Sequence, residues 1–306
     1  MIKYLWRRYG INPLDQLLKA AQKDHKQKLL ICWNRGMGDI PLGLYGFNYR
    51  IRQFIPDAII TYLTRSDLKE GFELLEGIEV LVDPDWKRHH PIDLDRSLSR
   101  LQLKREAFDL ILEKPDPTHW LIHQRGKLIP KLKWDPEWDR LCQSFSIHPE
   151  QPCVGVHVQT ETFYSSFDRN WPLDYWKELF MKLVEEKQQQ VLLFGFNQIP
   201  AIDLPGVIDL RGKTSLYEML SLIKNHCQYL VLPDSGPLAM TYYLDADYPI
   251  RIVSLWADPR HGVLKQKVAS PNPSLVHIPL LSPKKRDLRA LSVETVLSAL
   301  YDEHCI

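Results

Sequence analysis

Short apolar runs alternate with amphipathic stretches along this chain, the pattern of parallel α/β units. Leu29-Leu30-Ile31-Cys32-Trp33 predicts a first buried strand, followed by a loop at Arg35 to Asp39 and a helical stretch to about Ile55. Ala58 to Leu63 predicts a second strand, after which Ser66 is placed to cap a helix running through Leu74-Leu75. Ile78 to Val82 reads as a third strand ended by Asp83-Pro84, and Phe108 to Leu112 as a fourth. From Pro115 to Pro152 the regularity fades and prolines crowd in, which puts a domain boundary near residue 148.

A second series then begins. Cys153 to Val158, Val191 to Phe196, Val207 to Leu210, Tyr229 to Leu232 and Ile250 to Trp256 read as strands. Between them, Trp176, Leu179, Phe180 and Leu183 fall on helical spacing within Leu173 to Glu186. Thr214 opens a helix carrying Leu216, Met219, Leu220 and Ile223, and Leu291 to Leu300 predicts a last one. The fold class is therefore α/β: two doubly wound, Rossmann-like parallel sheets, over 1–148 and 149–306, without a strong internal repeat.

Composition narrows this picture without changing it. The 306 residues suffice for two domains of ordinary size. A net charge of +1 gives no support to a nucleic-acid partner. The five cysteines form no CxxC pair, and reduced thiols of a cytoplasmic protein are the simplest reading. No run of eighteen apolar residues predicts a membrane span, and Arg7, Arg8 and Asn12 interrupt any signal-peptide core. Ile2 to Arg8 nevertheless mixes aromatic and basic residues, as peripheral membrane anchors do, and equally suits a terminal strip packed on the domain. Lys127 to Trp134 has the same mixed character and suits an anionic acceptor.

Ligands of open α/β sheets bind beyond the carboxyl ends of the strands, where three loops stand out. In Arg35-Gly36-Met37-Gly38-Asp39, Gly36 and Gly38 allow close backbone approach. Asp39 is then a helix cap or a general base facing an interdomain cleft. Thr160 to Pro172 is long and polar, with Thr160, Thr162, Ser165, Ser166, Asp168, Arg169 and Trp171. Arg169 suits a phosphate clamp, or a surface ion pair with Asp168 or Asp174. In Asp234-Ser235-Gly236-Pro237 a strand breaks into a helix. Ser235 and the Gly236 N–H can hold a phosphate there while Asp234 accepts from sugar hydroxyls, or the turn is a plain cap. His89-His90 and His157 lack partners at metal spacing, and no GxSxG, GxxxxGK[ST] or GxGxxG is present at a first βα turn.

These loops, in this order, resemble glycosyltransferase family 9, the ADP-heptose:lipopolysaccharide heptosyltransferases. Gly36-Met37-Gly38-Asp39 matches the family's [SG]-x-G-D loop, Arg169-Asn170-Trp171-Pro172 with Trp176 its [KR]-x-W-P segment, and Asp234 to Pro237 its D-S-G-P turn. The resemblance spans roughly residues 28 to 260. It implies a GT-B fold, acceptor mainly on the N-terminal domain, an ADP-sugar mainly on the C-terminal one, and inverting transfer without metal or other cofactor. It further implies Asp39 as base, Arg169 and Thr160 at the donor phosphates, Asp234 at the donor sugar, and Ser235 and Gly236 at the pyrophosphate. The expected partners are a nucleotide sugar and a lipid-linked saccharide or protein acceptor, met in the cytoplasm at the inner membrane face.

Two departures matter. The family has a His two residues beyond the D-S-G-P proline, where this chain has Ala239, so one phosphate contact is missing or is replaced by Thr241 or His261. A Glu usually follows the Gly that ends the second strand of the donor domain. Here Gly195 precedes Phe196, Asn197 and Gln198, so Asn197 or Gln198 replaces it at the ribose or the nucleotide differs. The competing readings are a nucleotide-sugar-binding protein without catalysis and another GT-B enzyme, such as a nucleotide-sugar epimerase.

Overall fold

The computed structural model describes residues 12–121, 124–147, 151–160, 167–198 and 200–302. The Ile2–Arg8 segment, Cys305, and Thr162, Ser165 and Ser166 of the polar loop lie outside them. The chain divides into two compact units, Met1–Leu132 and Lys133–Ile306.

The first unit is built on four strands: β1 (Lys28–Trp33), β2 (Ile59–Thr64), β3 (Ile78–Val82) and β4 (Leu110–Leu112). They run in the order β3-β2-β1-β4, every pair parallel. After their first residues β1 and β2 are buried throughout, because helices cover both faces of a parallel sheet. On one face Leu30, Cys32 and Leu63 pack with Leu94 and Leu98 of the helix Leu94–Arg100. Burial pushes the Cys32 thiol up to about 12, so it behaves as a small apolar side chain.

One helix of this unit was not predicted. Pro13–Lys23 carries a clear start signal: Asn12 accepts from the Leu14 N–H at 3.0 Å, Pro13 sits in the first turn, and Leu14, Leu18 and Ala21 face inward. Conversely, the expected Ser66 cap is not used: Arg65 occupies the N-cap and Ser66 begins a 3₁₀ turn, Ser66–Leu68, before the helix Lys69–Glu73.

The second unit carries six parallel strands: β5 (Cys153–His157), β6 (Gln190–Phe194), β7 (Val207–Asp209), β8 (Cys227–Pro233), β9 (Ile250–Trp256) and β10 (Leu275–Leu281). Their order is β10-β9-β8-β5-β6-β7. β10 was not foreseen because Pro279 argues against a strand. At the sheet edge, however, the missing N–H costs no ladder bond. The helix Leu173–Met181 buries Trp176, Leu179 and Phe180 against Val154, Val156 and Leu193. Each such side chain contributes roughly 1.5–3 kcal/mol of transfer free energy.

The proline-rich segment after Leu132 belongs with this second unit. The 3₁₀ helix Pro136–Ser144 docks on the helix Leu216–His226 through a Cys142 N–H to Ser221 Oγ bond of 3.1 Å, an Asp139–Lys224 pair at 2.9 Å and Trp138 stacked on Tyr217. Among the described residues no helix is long and apolar enough to cross a membrane.

Strand order reverses between β1 and β4 in the first sheet and between β5 and β8 in the second. In doubly wound sheets these reversals open the crevices that take ligands.

Candidate active site

In the second unit the reversal point is occupied by an ion pair. Asp234 follows β8, is 7% exposed, and meets Arg169 Nη1 at 3.0 Å. The alternative partners Asp168 and Asp174 are not used in this way. Asp168 instead accepts from the Asn170 N–H at 2.9 Å, and Asn170 Oδ1 accepts from the Thr160 N–H at 2.7 Å. These bonds tie residues 168–170 to Thr160, beyond the end of β5. Trp171 then anchors it: its ring packs edge-on against Trp176, and its Nε1–H donates to the Leu291 carbonyl at 2.9 Å. An arginine two residues from a buried indole is thus aimed by packing, with little side-chain freedom left to lose.

Burial raises the Asp234 pKa, and the charges of Arg169, His261 and Lys265 pull it back down without cancelling the effect. The carboxylate is crowded as well as paired. Gly262 has φ +46°, and a Cβ there would land on Asp234 and within 2.8 Å of Trp256. Only glycine lets this backbone lie against the acid.

Ser235 caps the helix Gly236–Tyr242, its Oγ accepting from the Leu238 N–H at 3.4 Å. The cap reading is therefore realised, and it leaves the hydroxyl proton available for a ligand. Ala239 is buried inside that helix. Of the two proposed substitutes for the histidine absent there, Thr241 is wholly buried and cannot reach a soluble ligand. His261 lies in the fields of both Asp234 and Arg169, with its ring 6.0 Å from that of Phe167. Burial lowers its pKa while Asp234 and Asp258 oppose that shift.

Further along the same carboxyl edge, β6 is followed by Gly195-Phe196-Asn197-Gln198. Gln198 is committed to the fold, donating from Nε2 to the Arg211 carbonyl at 2.8 Å. Asn197 is exposed. Gln198 is exposed as well, so solvent access does not choose between the two candidates for a ribose contact.

The first unit has its own polar cluster at the end of β1. Asp39 stands at the N-terminus of the turn Ile40–Leu44 but makes no side-chain cap bond there. Its Oδ2 would lie 3.1 Å from a Cβ at Gly36, and Arg88 Nη2 would lie 3.6 Å from the same point. Arg88 was not foreseen. It arrives because buried Asn34 donates to the Lys87 and His90 carbonyls at 3.2 and 2.8 Å, holding the loop after β3 against the end of β1. Arg65 donates to the Arg35 carbonyl at 3.3 Å, and Arg35 lies over the Trp33 ring. Gly38 is half-buried in the turn that delivers Asp39.

Neither a family model nor a curated protein matches the sequence. Solved structures do match. Escherichia coli ADP-heptose LPS heptosyltransferase II superposes with a TM-score of 0.62 at 17% identity, over 90% of this chain and 97% of that one. A family 9 glycosyl transferase from Veillonella parvula gives 0.57 at 15% identity, over 89% and 95%. E. coli heptosyltransferase WaaC, solved with ADP, gives 0.53 at 14% identity, over 92% and 100%.

The chain has the GT-B fold of the family 9 glycosyltransferases. Within that fold, the acidic turn after β8 and the arginine loop after β5 meet at the reversal point of the second GT-B sheet. Asp39 and Arg88 occupy the corresponding carboxyl edge of the first.

Proposed function

We propose that this protein is an inverting, metal-independent glycosyltransferase that moves a heptose-like sugar from an ADP-sugar to a lipopolysaccharide-core or similar acceptor. The observation that carries the reading is the pairing of half-buried Arg169 with buried Asp234 at the reversal point of a GT-B sheet. A guanidinium held there suits the diphosphate of a nucleotide sugar, and a carboxylate beside it suits the sugar hydroxyls. The matches to heptosyltransferase structures support the choice of sugar.

In this scheme Asp39 accepts the proton of the acceptor hydroxyl as that oxygen attacks the anomeric carbon from the face opposite the leaving diphosphate. The C–O bond to the diphosphate breaks as the new glycosidic bond forms. Arg169, with Ser235 and the Gly236 N–H, meets the charge that develops on the departing oxygen. Thr160 flanks the same phosphates, and Asn197 the ribose. On the acceptor side, Arg88 with Arg35 and Arg65 favours a phosphorylated or otherwise anionic lipid-linked saccharide, taken at the cytoplasmic face of the membrane.

The test is calorimetric titration with ADP-heptose and other nucleotide sugars, followed by transfer assays on the native protein and on Asp39→Ala. The reading expects donor binding in both and transfer in the native protein only. Full transfer by Asp39→Ala would remove Asp39 from the mechanism. A non-catalytic sugar-nucleotide binder is the second reading, favoured by the buried Ala239 in place of a phosphate-reaching side chain. Donor binding without transfer or donor hydrolysis across a panel of acceptors would select it.

A further inference from the structure

Among the described residues, Phe196 is the most exposed large apolar side chain, at 69%. It is not a loose loop residue. Gly195, with φ +151°, passes over buried Arg211, whose Cγ would lie 3.3 Å from a Cβ at that glycine. The Gly195 carbonyl accepts from the Gly212 N–H at 2.7 Å, and Gln198 donates to the Arg211 carbonyl at 2.8 Å. Arg211 is itself pinned, donating to both Asp209 oxygens at 2.9 and 2.7 Å and to the Pro200 carbonyl at 2.9 Å. The backbone on both sides of Phe196 is fastened while its ring is left in water.

Exposing a phenyl ring on a fastened backbone forgoes apolar burial, and contact with a flat apolar ligand would recover it. The position indicates which ligand. Phe196 lies two residues beyond the end of β6, and the order β8-β5-β6 puts β6 two strands from the strand that leads into Asp234. Parallel strands stand about 4.8 Å apart, so the ring lies on the order of 10 Å along the sheet edge from the acid turn. A nucleoside diphosphate whose phosphates meet Arg169 brings its base to about that distance. Asn197, next in sequence, is exposed beside it.

We infer that Phe196 is the stacking platform for the donor's nucleobase, and that it supplies affinity for the base without reading its hydrogen-bonding edge. The inference rests on the donor-site reading of the second unit. Aromatic–base stacking is sequence-tolerant and is worth about 1–3 kcal/mol per base, which corresponds to roughly 5- to 150-fold in affinity.

Titration of ADP and of inorganic pyrophosphate against the native protein, Phe196→Ala and Phe196→Trp separates the cases. Phe196→Ala is expected to weaken ADP about tenfold, within that stacking range, and to leave pyrophosphate unchanged. Phe196→Trp is expected to restore ADP affinity and to show indole quenching as ADP is added. Native-like ADP binding by Phe196→Ala, or equal losses for ADP and pyrophosphate, overturns the stacking role while the donor site stands. Failure of the native protein to bind ADP, UDP, GDP or CDP overturns the donor reading and the platform together. Phe196 is largely solvated, so both variants are expected to melt with the native protein.

Discussion

Asp39 and Asp234 each follow a buried central strand and each begin a helical turn, yet their surroundings differ in kind. Asp234 is buried, paired with Arg169 and pressed by the Gly262 backbone, and burial outweighs its cationic neighbours in setting its pKa. Asp39 is half-buried and makes no cap bond, with two glycines near it and the Arg88 guanidinium nearby. A carboxylate fixed by partners is suited to hold a ligand in one orientation. One on a glycine-rich loop can approach a hydroxyl and take its proton. The same residue type after the same kind of strand thus meets two different surroundings, and the proposed transfer would use them for two different tasks.

The sharpest way to break this contrast is to neutralise each acid. Asp39→Asn is expected to lower the transfer rate by roughly 10²–10⁴-fold, the usual contribution of a general base, with donor affinity unchanged by calorimetry. A rate within a fewfold of native would put the base elsewhere. Arg169→Ala is expected to weaken donor binding by about 30- to 100-fold, the cost of a lost charge-assisted contact in a buried site. Arg169→Lys should recover only part of it, because an ammonium lacks the planar fork.

Acid separates the two units. Burial lowers the pKa of His157 and of His277 to about 4 from the ordinary 6.5, and both belong to the second unit. The unfolded chain takes up these protons first. Stability is therefore complete above about 6.5 and drains as pH falls toward about 4. At pH 5 the expected loss is about 2 kcal/mol per histidine, since each tenfold difference in proton affinity between the folded and unfolded chain is worth about 1.4 kcal/mol. Denaturant melts at pH 7.5 and 5 should show the second unit weakening, and His277→Gln should flatten the dependence. An unchanged melt would mean these imidazoles are hydrated in solution.

Glycine substitution gives the next effect. Gly262→Ala is expected to cost about 2 kcal/mol or more of stability, since it combines positive φ with a clash against Asp234 and Trp256, and to reduce donor binding with it. Gly36→Ala meets only the movable end of Asp39, so its cost should stay below about 1 kcal/mol while transfer falls. Equal melting temperatures for the two variants would refute the difference. The smallest effect concerns Asp234→Asn. Burial already disfavours the Asp234 charge, and the Arg169 guanidinium left behind is partly open to solvent, so this variant is expected to melt within about 2 °C of the native protein while donor affinity drops.

Much of the fold was legible in sequence because strands buried on both faces read as unbroken apolar runs. Ile78–Val82 and Ile250–Trp256 were placed to the residue. The unforeseen strand Leu275–Leu281 was hidden by Pro279, whose acceptability depends on lying at a sheet edge. The assignment of 133–144 to the second unit rests on Asp139, Cys142 and Trp138 meeting a helix about eighty residues later. Nothing local in the sequence encodes that.

The sequence by itself determined the class of fold, the three polar loops and the residue types in them, because strand periodicity and turn chemistry are local. Only the tertiary structure decided which charges meet. It gave Arg169 to Asp234 in preference to Asp168 or Asp174, and it withdrew Thr241 into the core. It brought His261 and Gly262 to the acid turn and carried Arg88 to Asp39. Those pairings join residues from separate strand ends, and strand order, which sets their proximity, is fixed by how the helices pack across each sheet.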